Sequence, residues 1–311
     1  MNGYYVRIAP VNPSDIELPA SASVSLRNRP QGENVVPGEQ LVSVDALALV
    51  RYGLRSPKEP KIVDTVKVID TILRKETRTG PVWHRYNLDG YGEHDDGSPY
   101  DGTGVGRGWP LLAGERAHYE IAKGNFEEAE RLLHVIEAQA SPGGLIPEQV
   151  WDAEDIPKRG LHNGRPAGSA MPLVWAHSEY IKLARSLRER RVFDMPPQTV
   201  ARYQTGKSES KLAAWRFNQK IRTIPRGKNI RIEVLAPATV HWSKANWKTA
   251  TDSRTTDTGL GIHYVDLQTS DLSPGESVVF TFFWPQADKW EGNDFQVAVS
   301  ESQLPTIRAE S

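Results

Sequence analysis

The spacing of apolar residues changes part-way along this 311-residue chain, and the change limits the folds that the chain can adopt. Up to about residue 190, apolar residues recur every three or four positions, which is typical of helices with one buried face. From about residue 205 they alternate with polar residues, as in Ile230, Ile232 and Val234, which is typical of strands. We therefore predict a mainly α protein with a β domain. The predicted parts are a helical domain over residues 1–195, a linker over 196–210 and a β domain over 211–311.

The helical segments are predicted in pairs that are joined by tight turns. Pro110 suits the first turn of a helix that Gly124 ends, and a second helix is predicted directly after it, over 126–138. Apolar stripes predict further helices over 61–75 and 169–190. Long polar and aromatic loops separate the pairs, so we expect helical hairpins packed side by side with these loops gathered at one end.

The β domain is predicted to be a small antiparallel β-sandwich. Val278, Phe280 and Phe282 show the same alternation, and 263–267 is another strand candidate. Asn229 and the segment 271–275 mark turns. Four tryptophans of this domain are compatible with a sugar-binding face, but such residues more often fill a core or a contact between domains, which we expect here. They are Trp242, Trp247, Trp284 and Trp290.

The segment 77–108 shows no period and is rich in Gly, Asp, Tyr and Trp. A structureless segment of about thirty residues inside a domain is rare and usually functional. It contains WHRYN at 83–87 and leads into GRGWP at 106–110. Arginine donors, carboxylates and flat rings in one cluster of loops match the hydroxyl groups and the C–H faces of a pyranose. We therefore predict a sugar-binding site.

Glu148 lies in the loop 141–152, between two predicted helices. Pro147 fixes the backbone just before it, and Val150 and Trp151 give it apolar neighbours. A carboxylate held on a stiff loop in such surroundings is a candidate general base, although a single glutamate after a proline is more often a plain surface residue.

Composition excludes several classes of protein. The net charge of −1 provides no overall field that would attract nucleic acid, and the absence of Cys excludes disulfide bonds. The first residues do not show the pattern of a signal peptide, and no apolar stretch approaches the length of a membrane span. We expect a soluble protein that binds neither nucleic acid nor membrane, with a cytoplasmic and an exported location both open.

Several acidic residues follow one another closely enough to raise the question of a structural Ca²⁺ site. Their spacing is not that of an EF-hand loop, and His84, His94 and His118 do not show a metal-ligand spacing either. We therefore predict no metal and no cofactor, and treat Ca²⁺ as an alternative that the spacing does not support. The acidic residues are Asp89, Glu93, Asp95, Asp96 and Asp101.

Three motifs, GRGWPLLAGERAHYE, GGLIPEQVWD and RPAGSAMPLVWAHSEYIKL, occur in this order along the chain. Together they resemble the bacterial glucoamylase and glucodextranase group, family 15 of the glycoside hydrolases, over roughly residues 1–195. The resemblance implies an (α/α)6 toroid that hydrolyses α-glucosidic bonds with inversion and releases β-glucose from chain ends. Since about five of the twelve toroid helices are predicted here, we expect a partial toroid, the C-terminal part of such an enzyme.

The resemblance also implies roles for individual residues. Glu148 matches the general base that activates the attacking water. Arg85 and Tyr86 match a pair that lines the sugar sites next to the scissile bond. Trp109 and Trp175 match aromatic walls of the pocket.

Inverting hydrolysis requires two carboxyl groups about 6.5–9.5 Å apart. The resemblance places the general acid in the half of the toroid that precedes these motifs, so we expect this chain to supply the general base and to be inactive or weak alone. An α-glucan or gluco-oligosaccharide is the expected substrate, and a second chain that supplies the other half of the toroid is an expected partner. Two alternatives stay open, a non-catalytic carbohydrate-binding protein and a trehalase-type α-glucosidase, and the linkage is undecided between α-1,4, α-1,6 and α,α-1,1.

Overall fold

The computed structural model describes residues 3–8, 23–206 and 210–301, and in it helical and strand segments separate along the chain. The described residues form two units, one from 3–8 and 23–206 and the other from 210–301. The first unit contains the helices and two small hairpins, and the second consists of strands. The prediction of a helical portion followed by a β portion is therefore confirmed.

Six α-helices lie in the described part of the chain. They are α1 (Ala48–Arg51), α2 (Pro60–Ile72), α3 (Pro110–Lys123), α4 (Phe126–Gln139), α5 (Val174–Glu189) and α6 (Pro197–Val200). Short 3₁₀ turns span Gly38–Gln40, Val44–Leu47 and Pro157–Arg159, and a wider π-type turn spans Ala201–Thr205. Within these ranges no helix has both the length and the apolar character that crossing a membrane requires.

Helix α3 lies at the centre of the first unit and contacts both α4 and α5. It begins at Pro110 and ends at Gly124, whose φ of 91° lies in the left-handed region, as the sequence predicted. Gly114 lets α5 approach closely, because a Cβ atom there would lie 2.6 Å from Cγ of Glu179. The pairing of α3 with α4 is the predicted helical hairpin.

Helix α5 begins at Val174, five residues later than predicted. The residues before it are used elsewhere: the backbone N–H of Leu173 donates to the carbonyl of Ile146, and the carbonyl of Ala170 accepts from Glu148. Its buried face includes Leu183, whereas Ile181 is 66% exposed. Competition from the Glu148 loop for backbone hydrogen bonds therefore sets where α5 starts.

A buried arginine connects three of the helices. Arg51 of α1 forms ion pairs with Glu115 of α3 at 3.0 Å, with Glu179 of α5 at 2.8 Å and with Asp194 at 2.9 Å. Burial alone would lower the pKa of Arg51, but the three carboxylates outweigh it and raise that pKa well above its ordinary value. The guanidinium therefore stays charged and holds the helices together.

Two hairpins belong to the first unit, and the sequence predicted neither. They are β1 (Ser23–Ser25) with β2 (Val35–Pro37), and β3 (Arg74–Thr77) with β4 (Gly80–Trp83). The second hairpin turns through two residues and places Gly80, with a φ of 115°, against Val135 of α4. It occupies the start of the segment predicted to be a loop.

The end of the first unit includes residues assigned to the linker. Helix α6 and the turn that follows it lie against α1: the Gln204 side chain donates to the carbonyl of Gly53 at 3.0 Å. A Cβ atom on Gly53 would lie 2.6 Å from Cγ2 of Val200. The residues up to Thr205 therefore pack on the helical unit.

The second unit consists of two sheets. Its strands are β5 (Leu212–Arg216), β6 (Thr223–Pro225), β7 (Asn229–Val234), β8 (Thr239–Ser243), β9 (Thr251–Arg254), β10 (Thr256–Asp257), β11 (His263–Leu267), β12 (Ser277–Trp284), β13 (Lys289–Trp290) and β14 (Phe295–Ser300). One sheet has the order β10-β11-β7-β5, and the other has the order β6-β14-β12-β8-β9, with β13 also paired to β12. The strands predicted around residues 230–234, 263–267 and 278–282 are confirmed as β7, β11 and β12.

The prediction of purely antiparallel sheets is wrong at two pairings. Strand β5 runs parallel to β7, and β6 runs parallel to β14. Strand β6, which lies between β5 and β7 in the sequence, belongs to the other sheet. The chain therefore crosses to that sheet and back, and β7 runs in the same direction as β5. Turn signals locate strands but do not reveal such a crossing.

The two sheets share one apolar core. Trp215 of β5 is 1% exposed, and its ring lies 5.1 Å from that of Phe280 on β12, in the other sheet. Trp242 and Trp284 pack against this core, as expected. Trp247 instead stacks on His241 at a centroid distance of 5.4 Å, and Trp290 is 50% exposed.

We predict that Arg51→Met lowers the free energy of unfolding of the helical unit by roughly 3–5 kcal/mol, because it removes the buried guanidinium that pairs with Glu115, Glu179 and Asp194. Arg55→Met is the matched control: Arg55 is 44% exposed and 3.8 Å from Glu59, so its loss should cost at most about 1 kcal/mol. Denaturant unfolding followed by circular dichroism measures both. Equal effects of the two substitutions would contradict the role given to Arg51.

Candidate functional site

The residues around Glu148 form an extended segment that is held on both sides. The backbone N–H of Glu148 donates to the carbonyl of Ala170 at 2.8 Å, and that of Val150 donates to the carbonyl of Gly108 at 2.9 Å. The N–H of Gln149 donates to the Ser169 hydroxyl at 2.9 Å. These bonds fix the backbone on either side of the Glu148 side chain.

Glu148 lies on the wall of a cavity of about 700 Å³, a volume typical of small-molecule sites. The side chain is half-buried, and the Tyr91 hydroxyl donates a hydrogen bond of 3.3 Å to its Oε2. Other residues that line the cavity are Glu93, Tyr100, Lys158, Arg159, Leu161 and Ser169. The predicted general base therefore faces a space that can hold a sugar.

Tyr91 connects Glu148 to a row of aromatic rings. Its ring centroid lies 5.0 Å from that of Tyr100 and 6.3 Å from that of Trp109. Burial and the neighbouring Glu148 carboxylate raise the pKa of the Tyr91 hydroxyl, so this group remains a donor at neutral pH. Sequence reasoning selected the stretch that contains Tyr91 but did not assign the residue to the site.

Arg85 lies beside Tyr91. Its guanidinium carbon is 4.9 Å from the centroid of the Tyr91 ring and 5.0 Å from that of the Trp109 ring. Its Nε and Nη2 donate to the Asp89 carboxylate at 2.7 and 2.9 Å. Burial alone would lower the pKa of Arg85, but the bond to Asp89 outweighs this and raises it. The structure thus places Arg85 and Trp109 next to Tyr91, and Tyr91 in turn contacts Glu148.

Tyr86 is buried in a small apolar cluster of the first unit. Its ring is 8% exposed and packs with Leu26 and Leu41, and the Arg7 guanidinium lies 4.0 Å above it. Tyr86 is not among the residues that line the Glu148 cavity. The Arg85 guanidinium carbon lies 5.7 Å from the centroid of the Tyr86 ring, so the two residues of the predicted pair are neighbours, and a role of Tyr86 in sugar binding stays a prediction.

Trp109 and Trp175 extend the row of rings away from the cavity. Trp109 is 3% exposed and its centroid lies 6.5 Å from that of Trp175, at an interplanar angle of 63°. Trp175, on the first turn of α5, is 56% exposed and borders a second, smaller cavity of about 100 Å³ next to Glu115. Neither indole lines the larger cavity directly; Tyr91 lies between it and them.

Asp152 connects the motifs of the site, a role that sequence reasoning did not give it. Its Oδ2 lies 2.6 Å from Nε2 of His84 and accepts from the backbone N–H of Gly108 at 3.0 Å. Arg107, which stacks over the Trp151 ring at 4.1 Å, donates to Oδ1 at 3.4 Å. The sequence position of Asp152 could have indicated this role, because the residue follows directly after PEQVW in the motif that contains Glu148.

Four of the five acidic residues considered for Ca²⁺ have other partners. Asp89 pairs with Arg85, and Asp95 pairs with Arg107 at 3.2 Å. Asp96 and Asp101 accept hydrogen bonds from the backbone two residues further on, at 2.9 and 3.2 Å. Across residues 3–8, 23–206 and 210–301, no group of three His, Asp or Glu residues is placed to hold a metal ion.

Comparison with known proteins supports the resemblance that the motifs indicated. Over 200 residues the chain is 42% identical to the glucoamylase of Clostridium sp. (strain G0005), and the alignment covers 64% of this chain and 26% of that enzyme. A crystal structure of bacterial glucoamylase complexed with acarbose matches 65% of this chain and 28% of that chain, at 41% identity and a TM-score of 0.57. Over this region the chain is homologous to bacterial glucoamylase.

The chain thus spans about a quarter of the length of the glucoamylase that it matches. A cycloisomaltooligosaccharide glucanotransferase of Niallia circulans is 32% identical over 97 residues, which cover 28% of this chain and 10% of that protein. No protein-family model matches. The glucoamylase resemblance is confirmed at the level of homology, whereas the roles of single residues stay predictions.

In this glucoamylase homologue, Asp155 anchors the cavity wall that carries Lys158 and Arg159. It accepts a hydrogen bond of 2.8 Å from the backbone N–H of Asn163 and another of 2.8 Å from Arg78. These two donors lower the pKa of the Asp155 carboxyl from its ordinary 3.8 to about 2. The loop between Asp155 and Asn163 is therefore closed by a carboxylate that must be ionised.

We predict that Asp155→Asn lowers the melting temperature most above about pH 4, and that its difference from the unsubstituted protein shrinks as the pH falls toward 2. The sign follows because the folded-state pKa lies below 3.8, so the ionised carboxylate stabilises the fold above that pH and loses this effect on protonation. Thermal unfolding of both proteins between pH 5 and pH 2 gives the difference, with the exposed Glu130→Gln as control. A constant difference across that range would contradict the prediction.

Proposed function

We propose that this chain is the part of an inverting, glucoamylase-like α-glucosidase that carries the general base, Glu148. The observation that carries the proposal is the half-buried Glu148 carboxylate on the wall of a cavity of about 700 Å³, with Tyr91 donating to it. Homology to glucoamylase supports this choice of chemistry. We further propose that the helical hairpins are part of an (α/α)6 toroid and that the two sheets form a β-sandwich.

The proposed role of Glu148 is to remove a proton from the water that attacks the anomeric carbon. Tyr91 engages Oε2, which leaves Oε1 to accept that proton. The fixed backbone on both sides of Glu148 keeps the carboxylate in one orientation, and such positioning is a large part of what an enzyme contributes.

The proposed substrate is an α-glucan or a gluco-oligosaccharide. Rings of the Tyr91 row offer flat surfaces for the C–H faces of glucose, and the charged groups around the cavity offer partners for its hydroxyl groups. The proton for the leaving oxygen is proposed to come from a carboxyl group outside this chain, and a second chain as its source stays a prediction.

The role of Glu148 can be tested with a substrate that needs no general acid. Fluoride leaves without protonation, so α-glucosyl fluoride requires only the base and the water. We expect the chain to hydrolyse it with β-glucose as the first product, and to hydrolyse maltose and isomaltose slowly or not at all. Glu148→Gln should lower fluoride release by roughly 10²–10⁴-fold.

A fluoride electrode measures fluoride release, and NMR identifies the anomer of the glucose product. The exposed Glu130→Gln, on α4, is the matched control and should behave as the unsubstituted chain does. Equal rates with and without Glu148, or α-glucose as the first product, would refute the proposal. Binding of maltose in calorimetry without any fluoride release would instead favour the non-catalytic sugar-binding alternative.

A further inference from the structure

A second carboxyl group, that of Glu93, lies on the wall of the Glu148 cavity. Glu93 is 7% exposed, and its Oε2 is buried without a hydrogen-bond donor among the described residues. A buried carboxylate oxygen that lacks a donor loses the hydration it would have in water, so such atoms are rare in folded proteins and need an explanation.

The backbone around Glu93 is too firmly held for the carboxylate to escape this position. The Gln149 side chain donates to the carbonyl of Tyr91, and Arg107 donates to the carbonyl of Glu93, both at 2.7 Å. Between them, a Cβ atom on Gly92 would lie 2.3 Å from the carbonyl oxygen of Val105. Tyr91 and Glu93, two positions apart, therefore both line the cavity.

The carboxylate is also restricted on its other side. A Cβ atom on Gly168 would lie 2.5 Å from Oε1 of Glu93, so the backbone there is in close contact with that oxygen. This contact restricts the carboxylate on the side of the segment that carries Ser169, which bonds to Gln149 next to Glu148. The Glu93 carboxylate is therefore held within the cavity wall.

We propose that the Glu93 carboxylate accepts a hydrogen bond from one hydroxyl group of the sugar bound beside Glu148. This inference rests on the proposed function and adds a specificity-determining residue to it. A neutral hydroxyl donor fits better than a cation, because no arrangement of three metal-ligating side chains occurs in the described ranges. A sugar without that hydroxyl would leave the carboxylate without this partner.

The test combines sugar analogues with a substitution. Binding of maltose, isomaltose and each monodeoxy analogue is measured by calorimetry with the unsubstituted chain, Glu93→Ala and the exposed control Glu130→Ala. We expect one monodeoxy analogue to bind roughly 10- to 100-fold more weakly than its parent to the unsubstituted chain and to the control. Glu93→Ala should bind the parent sugar and that analogue equally.

The outcomes separate the two proposals. Failure of the unsubstituted chain to bind any of these sugars overturns the proposed function and this inference with it. Binding that is unchanged by Glu93→Ala, or a deoxy penalty that persists in Glu93→Ala, overturns this inference alone. If Glu93→Ala does not fold, as judged by its melting temperature, Glu93→Gln replaces it, and equal binding of all monodeoxy analogues by the unsubstituted chain is then the contrary result.

Discussion

The buried carboxylate of Asp152 is the interaction on which the site depends. It joins His84, the backbone of Gly108 and the guanidinium of Arg107, and so brings together three segments that are far apart in the sequence. Its side chain is 4% exposed, and that of Arg107 is 3% exposed. A buried charge pair of this kind adds little to the free energy of unfolding. It favours one arrangement of the loops, because any other arrangement would leave a charge without its partner.

The walls of the Glu148 cavity depend on these contacts of Asp152. Asp152 fixes one end of the Glu148 segment, while Arg107 reaches on to hold the carbonyl of Glu93. The walls that carry the two glutamates are therefore tied to the same guanidinium–carboxylate pair. A site built in this way can keep an unpaired oxygen at Glu93, since the surrounding hydrogen bonds oppose the small movements that would expose it to water.

Much of the helical unit could be predicted from local signals, because Pro110 and Gly124 mark the ends of α3 by backbone chemistry alone. The start of α5 could not, since it depends on residues 169–173 bonding to a loop more than twenty positions away. The same limit applies to the site. Glu148 and Arg85 belong to motifs, whereas Tyr91 acquires its importance from a contact across 57 positions, and Tyr86 lies in a separate apolar cluster.

The pairing of Arg85 with Asp89 sets the surroundings of Glu148. Nε and Nη2 of Arg85 donate to Asp89, whose side chain is 1% exposed, so a buried carboxylate fixes the orientation of the guanidinium. The same guanidinium lies against the rings of Tyr91 and Trp109. Tyr91 in turn donates its hydroxyl to Glu148, which orients that carboxylate through a neutral group. A series of contacts that begins at a buried aspartate thus positions the cationic and aromatic groups beside Glu148.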